Sequence, residues 1–310
     1  MDNTNPLPRD IIIAPAPWIC KAQVYALYFY SSRPSPSSSS TALALPPVAY
    51  SPLEAASFFA SPEAGDFVGG LGSIMVVRYL DTPVGPYDEL VIIPGSFVYD
   101  NRSDAGWQQT GKKKKCNLRL SRAYVSQEHT CYNGRLNWNI PKHVARFEWS
   151  DLPNNGGTHV KVFSLPQPHP NDKTTPTFIS SSSSSSSSPS PDQPLFQASF
   201  KPIPYLPSFP LSTAWASSLG LMDLSLVNPP VPHGPRPEQV GTNMWCKSLM
   251  VQSSPRTSVG WFDMKQPQSR DTAKEGQEEN FWPGLGRWRL GVRMDDVRLE
   301  VPEGEYWRAE

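Results

Sequence analysis

The apolar residues of this chain fall into short runs, and most of the runs read as strands. Trp18 to Tyr30 (WICKAQVYALYFY) is rich in valine, tyrosine, phenylalanine and tryptophan, and both of its alternating faces are largely apolar. That pattern suits a strand inside a closed or covered sheet. Phe67 to Leu80 (FVGGLGSIMVVRYL) predicts a second strand, with glycines where a bend or bulge would sit. Asp81 to Pro86 (DTPVGP) is turn chemistry. Tyr87 to Tyr99 predicts a third strand, interrupted at Pro94-Gly95, and Asn117 to Val125 (NLRLSRAYV) alternates clearly. Val144 to Trp149, a turn at Asn154 to Gly157 and Thr158 to Phe163 have hairpin character. Phe196 to Lys201, Met244 to Val251, Ser258 to Met264 and Leu285 to Val301 complete the predicted strands, while residues 202–240 are punctuated by proline and give no clear period.

Helical signals are few. At Ser51 to Ala56 a serine can cap the free N–H groups, Pro52 fits the first turn and Glu54 suits the positive end. Gln127 to Asn133 predicts a second short helix, capped by Ser126 and closed at Gly134, and Pro141 forbids its continuation. The expected fold class is therefore mainly β, with one or two short helices.

Composition narrows this to one domain with insertions. Proline accounts for 35 of 310 residues, and serine is concentrated in two tracts, one holding nine consecutive serines from Ser180 to Ser188. Such segments cannot bury enough surface to offset their ordering entropy. The expected organisation is one domain over residues 11–305, with disordered Ser/Pro-rich insertions at about 31–45 and 164–195. Ten tryptophans and 38% hydrophobic residues still permit a substantial aromatic core.

Lys plus Arg and Asp plus Glu both total 28, so no general affinity for nucleic acid or an anionic membrane is expected. Lys112 to Lys115 reads as a solvated loop rather than an import or phosphate patch. Residues 11–30 are interrupted by Pro15, Pro17, Lys21 and Gln23 and follow no basic segment, so a soluble, non-secreted, cytoplasmic protein is expected. Cys20, Cys116, Cys131 and Cys246 form no C-x-x-C pair and read as four reduced thiols. The five histidines lack metal spacing, and no G-x-S-x-G elbow is present.

Candidate chemistry gathers in Tyr124 to Trp149 (YVSQEHTCYNGRLNWNIPKHVARFEW). Lys142 follows Pro141 and is surrounded in sequence by Trp138, Ile140, Val144, Phe147 and Trp149. Taken alone, a lysine is a solvated surface charge. Apolar surroundings disfavour the charged form of a lysine and leave a neutral amine that attacks carbonyl groups.

Gly134-Arg135, five residues, then Pro141-Lys142 resembles the G-R-x5-P-K signature of acetoacetate decarboxylase and its relatives. Asp81-Thr82 through Tyr87-Asp88-Glu89 resembles the turn and strand that carry an acidic active-site residue in that family. The run N-I-P-K-H-x-A-R-F-E-W looks most like a divergent, fungal branch of the superfamily, and the similarity covers roughly residues 72–150. The resemblance implies an antiparallel β-barrel or cone with an apolar interior pocket, and barrel closure would remove exposed strand edges.

The resemblance also implies chemistry. Lys142 would form a Schiff base with an oxo acid, and the protonated imine would act as an electron sink. Glu89 would orient the substrate or carry a proton. Arg135 would tie the helix end to the barrel, and Lys21 would be the counterpart of a substrate-binding arginine on the first strand. His143 stands where the decarboxylase has a second lysine, and Met75 falls near the position of its second acid. The implied protein is a lyase, of decarboxylase or aldolase/dehydratase type, acting on a small or polyketide-like oxo acid with no metal and no organic cofactor. Its partner would be a small-molecule carbonyl substrate, with a homo-oligomer left open. The replacements at Met75 and His143 motivate a rival reading, a binding or structural barrel that has lost the chemistry.

Overall fold

The computed structural model describes residues 10–32, 45–100, 114–153, 156–165, 193–215, 223–266, 281–282 and 285–308. Most of both expected Ser/Pro-rich insertions, and Lys112 and Lys113, lie outside the described residues. The described strands are β1 (Trp18–Ser31), β2 (Asp66–Asp81), β3 (Tyr87–Ile93), β4 (Ser96–Asp100), β5 (Lys114–Leu118), β6 (Arg122–Val125), β7 (Lys142–Asp151) and β8 (Thr158–Ser164). They continue with β9 (Phe196–Pro202), β10 (Phe209–Ser212), β11 (Leu226–Asn228), β12 (Trp245–Ser248), β13 (Val251–Asp263), β14 (Trp288–Val301) and β15 (Glu305–Trp307). Two α-helices accompany them, α1 (Pro52–Ala55) and α2 (Glu128–Trp138).

Nine strands close on themselves in the order β1-β14-β13-β9-β8-β7-β6-β3-β2, because β1 pairs with β14 on one side and with β2 on the other. Closure leaves these strands no free edge. A second sheet branches from β2 through β4, β5, β11, β12 and β15. The branch begins where β2 bends at Gly69 (φ 80°) and Gly70 (φ 104°), left-handed backbone that glycine adopts without a Cβ penalty. Pro94-Gly95 does more than interrupt a strand: it hands the chain from the barrel (β3) to the second sheet (β4).

The run Asn117 to Val125 is likewise two strands, β5 in the second sheet and β6 in the barrel. They are separated by buried Arg119, which lies 4.1 Å over the Phe97 ring. Met244 to Val251 also divides, into β12 and the start of β13.

One barrel contact departs from the antiparallel expectation. β6 and β7 are parallel and are joined by α2, since a chain can re-enter a sheet in the same direction only after a crossover.

Both faces of β1 are covered along much of its length. Trp18, Cys20, Ala22, Val24 and Ala26 enter one apolar cluster, and Tyr25, Leu27 and Phe29 enter another. The second face is open at its start, where Ile19 and Lys21 are exposed. The same division runs through β3, with Val91 and Ile93 in the first cluster and Leu90 and Ile92 in the second. Period-two side-chain placement thus sends each strand into two cores.

Cys20, Cys131 and Cys246 are buried and Cys116 is exposed. Burial pushes the Cys20 thiol up to about 11 and the Cys131 and Cys246 thiols up to about 12, from an ordinary 9.0. Folding therefore holds these protons more tightly than the unfolded chain does. The associated stability is complete below pH 9 and is lost as pH rises through about 11 to 12. The midpoint of urea unfolding should accordingly be flat near neutrality and fall steeply above pH 9. Among the described residues, no helix is long and apolar enough to cross a membrane.

Candidate active site

Register brings the central pair together. Lys142 opens β7 and pairs with Ala123 of β6, Ala123 pairs with Val91 of β3, and Glu89 lies two residues before Val91 on the same face. Lys142 Nζ lies 3.1 Å from Glu89 Oε1, and each residue is 3% exposed.

Helix α2 packs across this face. Lys142 Nζ donates to Thr130 Oγ1 at 3.1 Å, and Nζ sits 5.2 Å from the centroid of the Tyr87 ring. Tyr87 stacks on Tyr79 at 4.3 Å. Burial, reinforced by the charge of Glu89, holds both phenols well above the usual tyrosine value. They are therefore hydrogen-bonding alcohols at neutral pH. The buried Cys20 thiol, on the same cavity wall, stays protonated for the same reason and is no nucleophile there.

These groups face a cavity of about 30 Å³ between the barrel sheet, α2 and the second sheet. It has room for about two water molecules. Its walls are mostly apolar, with Trp18, Trp138, Met75 and Met250 among them and the Gln252 amide on one side. Met75 occupies the wall itself, and the Gln252 Nε2 contact there is to Met75 Sδ at 4.0 Å.

Gly134 is not the helix stop that its spacing predicts. α2 runs on to Trp138 and ends with Asn139 in the left-handed region (φ 52°), its amide donating to the carbonyls of Pro229 (3.2 Å) and Met244 (2.6 Å). Gly134 lies inside the helix because Lys142 crosses there: a Cβ would sit 2.6 Å from Lys142 Cδ and 2.7 Å from Cε. A Gly134→Ala variant loses the propensity gain of about 1 kcal/mol that alanine usually brings to a helix. It should instead displace the amine, at a cost of about 1–3 kcal/mol. Turnover should fall more than stability does, and kcat beside a urea titration separates the two. The N-terminal cap is Gln127, whose side chain accepts from Thr130 N, while Ser126 Oγ accepts instead from Asp88 N.

Behind the lysine lies a second polar group. Arg135 is fully buried and donates from Nη1 to the Lys142 carbonyl (3.1 Å) and to Glu54 Oε1 (3.1 Å), and from Nε to the Val240 carbonyl (2.8 Å). Its Nη2 donates to the Pro232 carbonyl. Cys131 Sγ also reaches the Lys142 carbonyl, at 3.2 Å. The backbone of Lys142 is thus held from α2.

His143 sits on the opposite face of β7 from Lys142. It pairs with Tyr124, whereas Lys142 pairs with Ala123, and alternation sends the imidazole away from the cavity. Its Nε2 donates to Glu54 Oε2 at 2.7 Å, and its Nδ1 accepts from Gln239 Nε2 at 3.0 Å. The Gln239 orientation follows from its Oε1, which accepts from Arg236 N. His143 therefore supports the site and makes no cavity wall. Lys21 does neither: it is exposed at the open start of the second face of β1, and its neighbour Cys20 lines the cavity.

Several participants lie outside the residues that the sequence singles out as functional. Tyr87 precedes Glu89 by two, and Thr130 precedes Gly134 by four, so strand and helix periods could have placed them. Glu54 reads as a helix-start residue that suits the positive end. It is fully buried between Arg135 and His143, and Ser51 Oγ makes no cap. Gln252 carries no local signal.

No family model matches the chain. The protein NEOXANTHIN-DEFICIENT 1 of Oryza sativa subsp. japonica is 31% identical over 81 residues, 26% of this chain and 22% of that protein. The protein of the same name from Arabidopsis thaliana is 31% identical over 77 residues, 25% of this chain and 23% of that protein. The matched stretch thus spans less than a quarter of either relative. Among solved structures, acetoacetate decarboxylase from Legionella pneumophila aligns with a TM-score of 0.52 at 10% identity, over 98% of this chain and 93% of that one. An acetoacetate decarboxylase-like enzyme from Sphingomonas wittichii RW1 aligns with a TM-score of 0.50 at 11% identity, over 96% and 95% of the two chains. At these identities the likeness is one of fold.

Proposed function

We propose that this chain, which has the acetoacetate decarboxylase-like fold, is a lyase that works through a Schiff base between Lys142 and a carbonyl substrate. The observation that supports this most is the Lys142–Glu89 contact of 3.1 Å inside an apolar cavity. Moving one proton across that contact turns a buried ion pair into a neutral amine and a carboxylic acid with no change in net charge.

The amine lone pair then forms a bond to the carbonyl carbon while the C=O π pair moves to oxygen. A proton passes from nitrogen to that oxygen, giving the carbinolamine. Glu89 returns its proton to the hydroxyl, which departs as water, and an iminium remains beside the Glu89 carboxylate. The cationic iminium draws electrons from a bond to its α carbon, which suits cleavage of a carbon–carbon bond or loss of an α-proton. Thr130 and the Arg135–Lys142 carbonyl bond hold the reacting nitrogen in place.

Borohydride tests the reading. Reduction in the presence of a carbonyl compound should leave a mass increment on the peptide that contains Lys142. The narrowness of the cavity favours the rival, a barrel that binds without turnover. A folded protein that gives no adduct with any aldehyde or ketone supports that rival and overturns the lyase.

A further inference from the structure

We infer that the substrate taken by this cavity is a neutral aldehyde or ketone with hydrocarbon flanks, and not an oxo acid. The inference rests on the Schiff-base reading above and narrows it. Charge balance carries the argument. Among the described residues that line the cavity, Lys142 is the one cation and Glu89 the one anion, 3.1 Å apart. Their sum is zero, and it stays zero when the amine becomes an iminium and Glu89 a carboxylate. A neutral substrate preserves that balance at each step. An oxo acid would add a second carboxylate beside Glu89 in a cavity walled by tryptophan, valine, leucine and methionine, and the described wall residues leave no cation to meet it.

Cations next to wall residues in sequence are committed elsewhere: Arg78 pairs with Asp88 and lies over the Trp149 ring, and Arg119 lies over the Phe97 ring and donates to the Ala64 carbonyl. Arg135 is held by Glu54 and three backbone carbonyls behind β7, and Lys21 is exposed on the face of β1 turned away from the cavity. At the cavity wall, beside the Tyr79 and Tyr87 phenols near Glu89, the Gln252 carboxamide is a neutral polar group with capacity to spare. Among the described residues its Nε2 meets a thioether sulfur at 4.0 Å, a weak acceptor. An amide reads a neutral carbonyl or hydroxyl oxygen well and compensates a carboxylate poorly. The present volume of about 30 Å³ is smaller than such a ketone. Met75 and Met250, unbranched and adaptable, are the wall residues that can yield to one. A neutral ketone has no carbon dioxide to lose, so decarboxylation leaves the set of reactions.

The test is a matched pair under borohydride, 2-hexanone against levulinate, each normalised to its trapping rate with a free alkylamine and read by intact mass. The ketone should label Lys142, and levulinate should label it at least about tenfold more slowly. Gln252→Arg places a cation on the wall and should raise levulinate trapping severalfold while lowering that of 2-hexanone. Equal or faster trapping of levulinate by the natural protein overturns the neutral substrate and leaves the Schiff base standing. No adduct with either compound, from folded protein, removes the Schiff base and the substrate class together.

Discussion

Lys142→Met should abolish turnover and borohydride labelling together, while the barrel remains folded. Methionine keeps the length and hydrocarbon stem of lysine and removes the nitrogen that makes the carbon–nitrogen bond, so nothing replaces the covalent step. The variant also leaves Glu89 buried and 3% exposed with its cation gone. Removing one member of a buried pair typically destabilises by about 3–5 kcal/mol. Glu89→Gln should lower turnover by about 10²–10⁴-fold, the scale of a lost acid–base group, and should still label with borohydride at a reduced rate. The double variant Lys142→Met/Glu89→Gln removes both charges and should be more stable than Lys142→Met alone. Urea titrations of the three variants and the natural protein give that coupling directly. A Lys142→Met protein that still turns over would assign the chemistry to another residue.

The strands were legible because their apolar runs are long and rich in β-branched and aromatic residues, as in Trp18 to Tyr30. Their assignment to sheets was not. Pro94-Gly95 looks like an interruption within a strand and Asn117 to Val125 like one continuous strand, yet each hands the chain to a different sheet. A change of partner leaves no mark on period-two alternation. Lys142 and Glu89 stand out in the sequence by resemblance, and the β7–β6–β3 register then places them on one face.

His143 stands beside the lysine in sequence, at the position of the decarboxylase's second lysine, and the predicted strand starts only at Val144. The observed strand begins two residues earlier, at Lys142, so Lys142 and His143 both lie in it and alternation puts them on opposite faces. Gly134 carried a similar ambiguity. Glycine near the end of a helical run reads as a terminator, and only the path of Lys142 across α2 shows that space, not termination, requires it. Glu54 was out of reach altogether, since its partners are 81 and 89 residues away.

Glu54→Leu should be among the most damaging substitutions in the molecule, although Glu54 touches no part of the cavity. Its carboxylate is fully buried, receives Arg135 Nη1 at 3.1 Å and His143 Nε2 at 2.7 Å, and is the acidic partner of both. Leucine fills most of the volume and removes the charge. The guanidinium of Arg135 is then buried with carbonyl acceptors alone, and His143 Nε2–H faces hydrocarbon. A buried charge left uncompensated costs about 3–5 kcal/mol, and an orphaned donor adds about 1–3 kcal/mol. Glu54→Gln should fall between leucine and the natural residue, because an amide oxygen still accepts one of the two hydrogen bonds.

The functional consequence passes through Arg135. The same Nη1 that meets Glu54 also meets the Lys142 carbonyl, so loosening the guanidinium frees the backbone that aims the amine. Trapping at Lys142 should therefore slow in Glu54→Gln under conditions where circular dichroism shows the barrel fully folded. A purely structural role predicts no such change, since folded molecules would then react at the natural rate. Adding Arg135→Met to Glu54→Leu removes the uncompensated charge and should restore stability toward that of the natural protein without restoring the rate. The two effects separate because one depends on charge balance behind β7 and the other on the hydrogen bond to Lys142 itself.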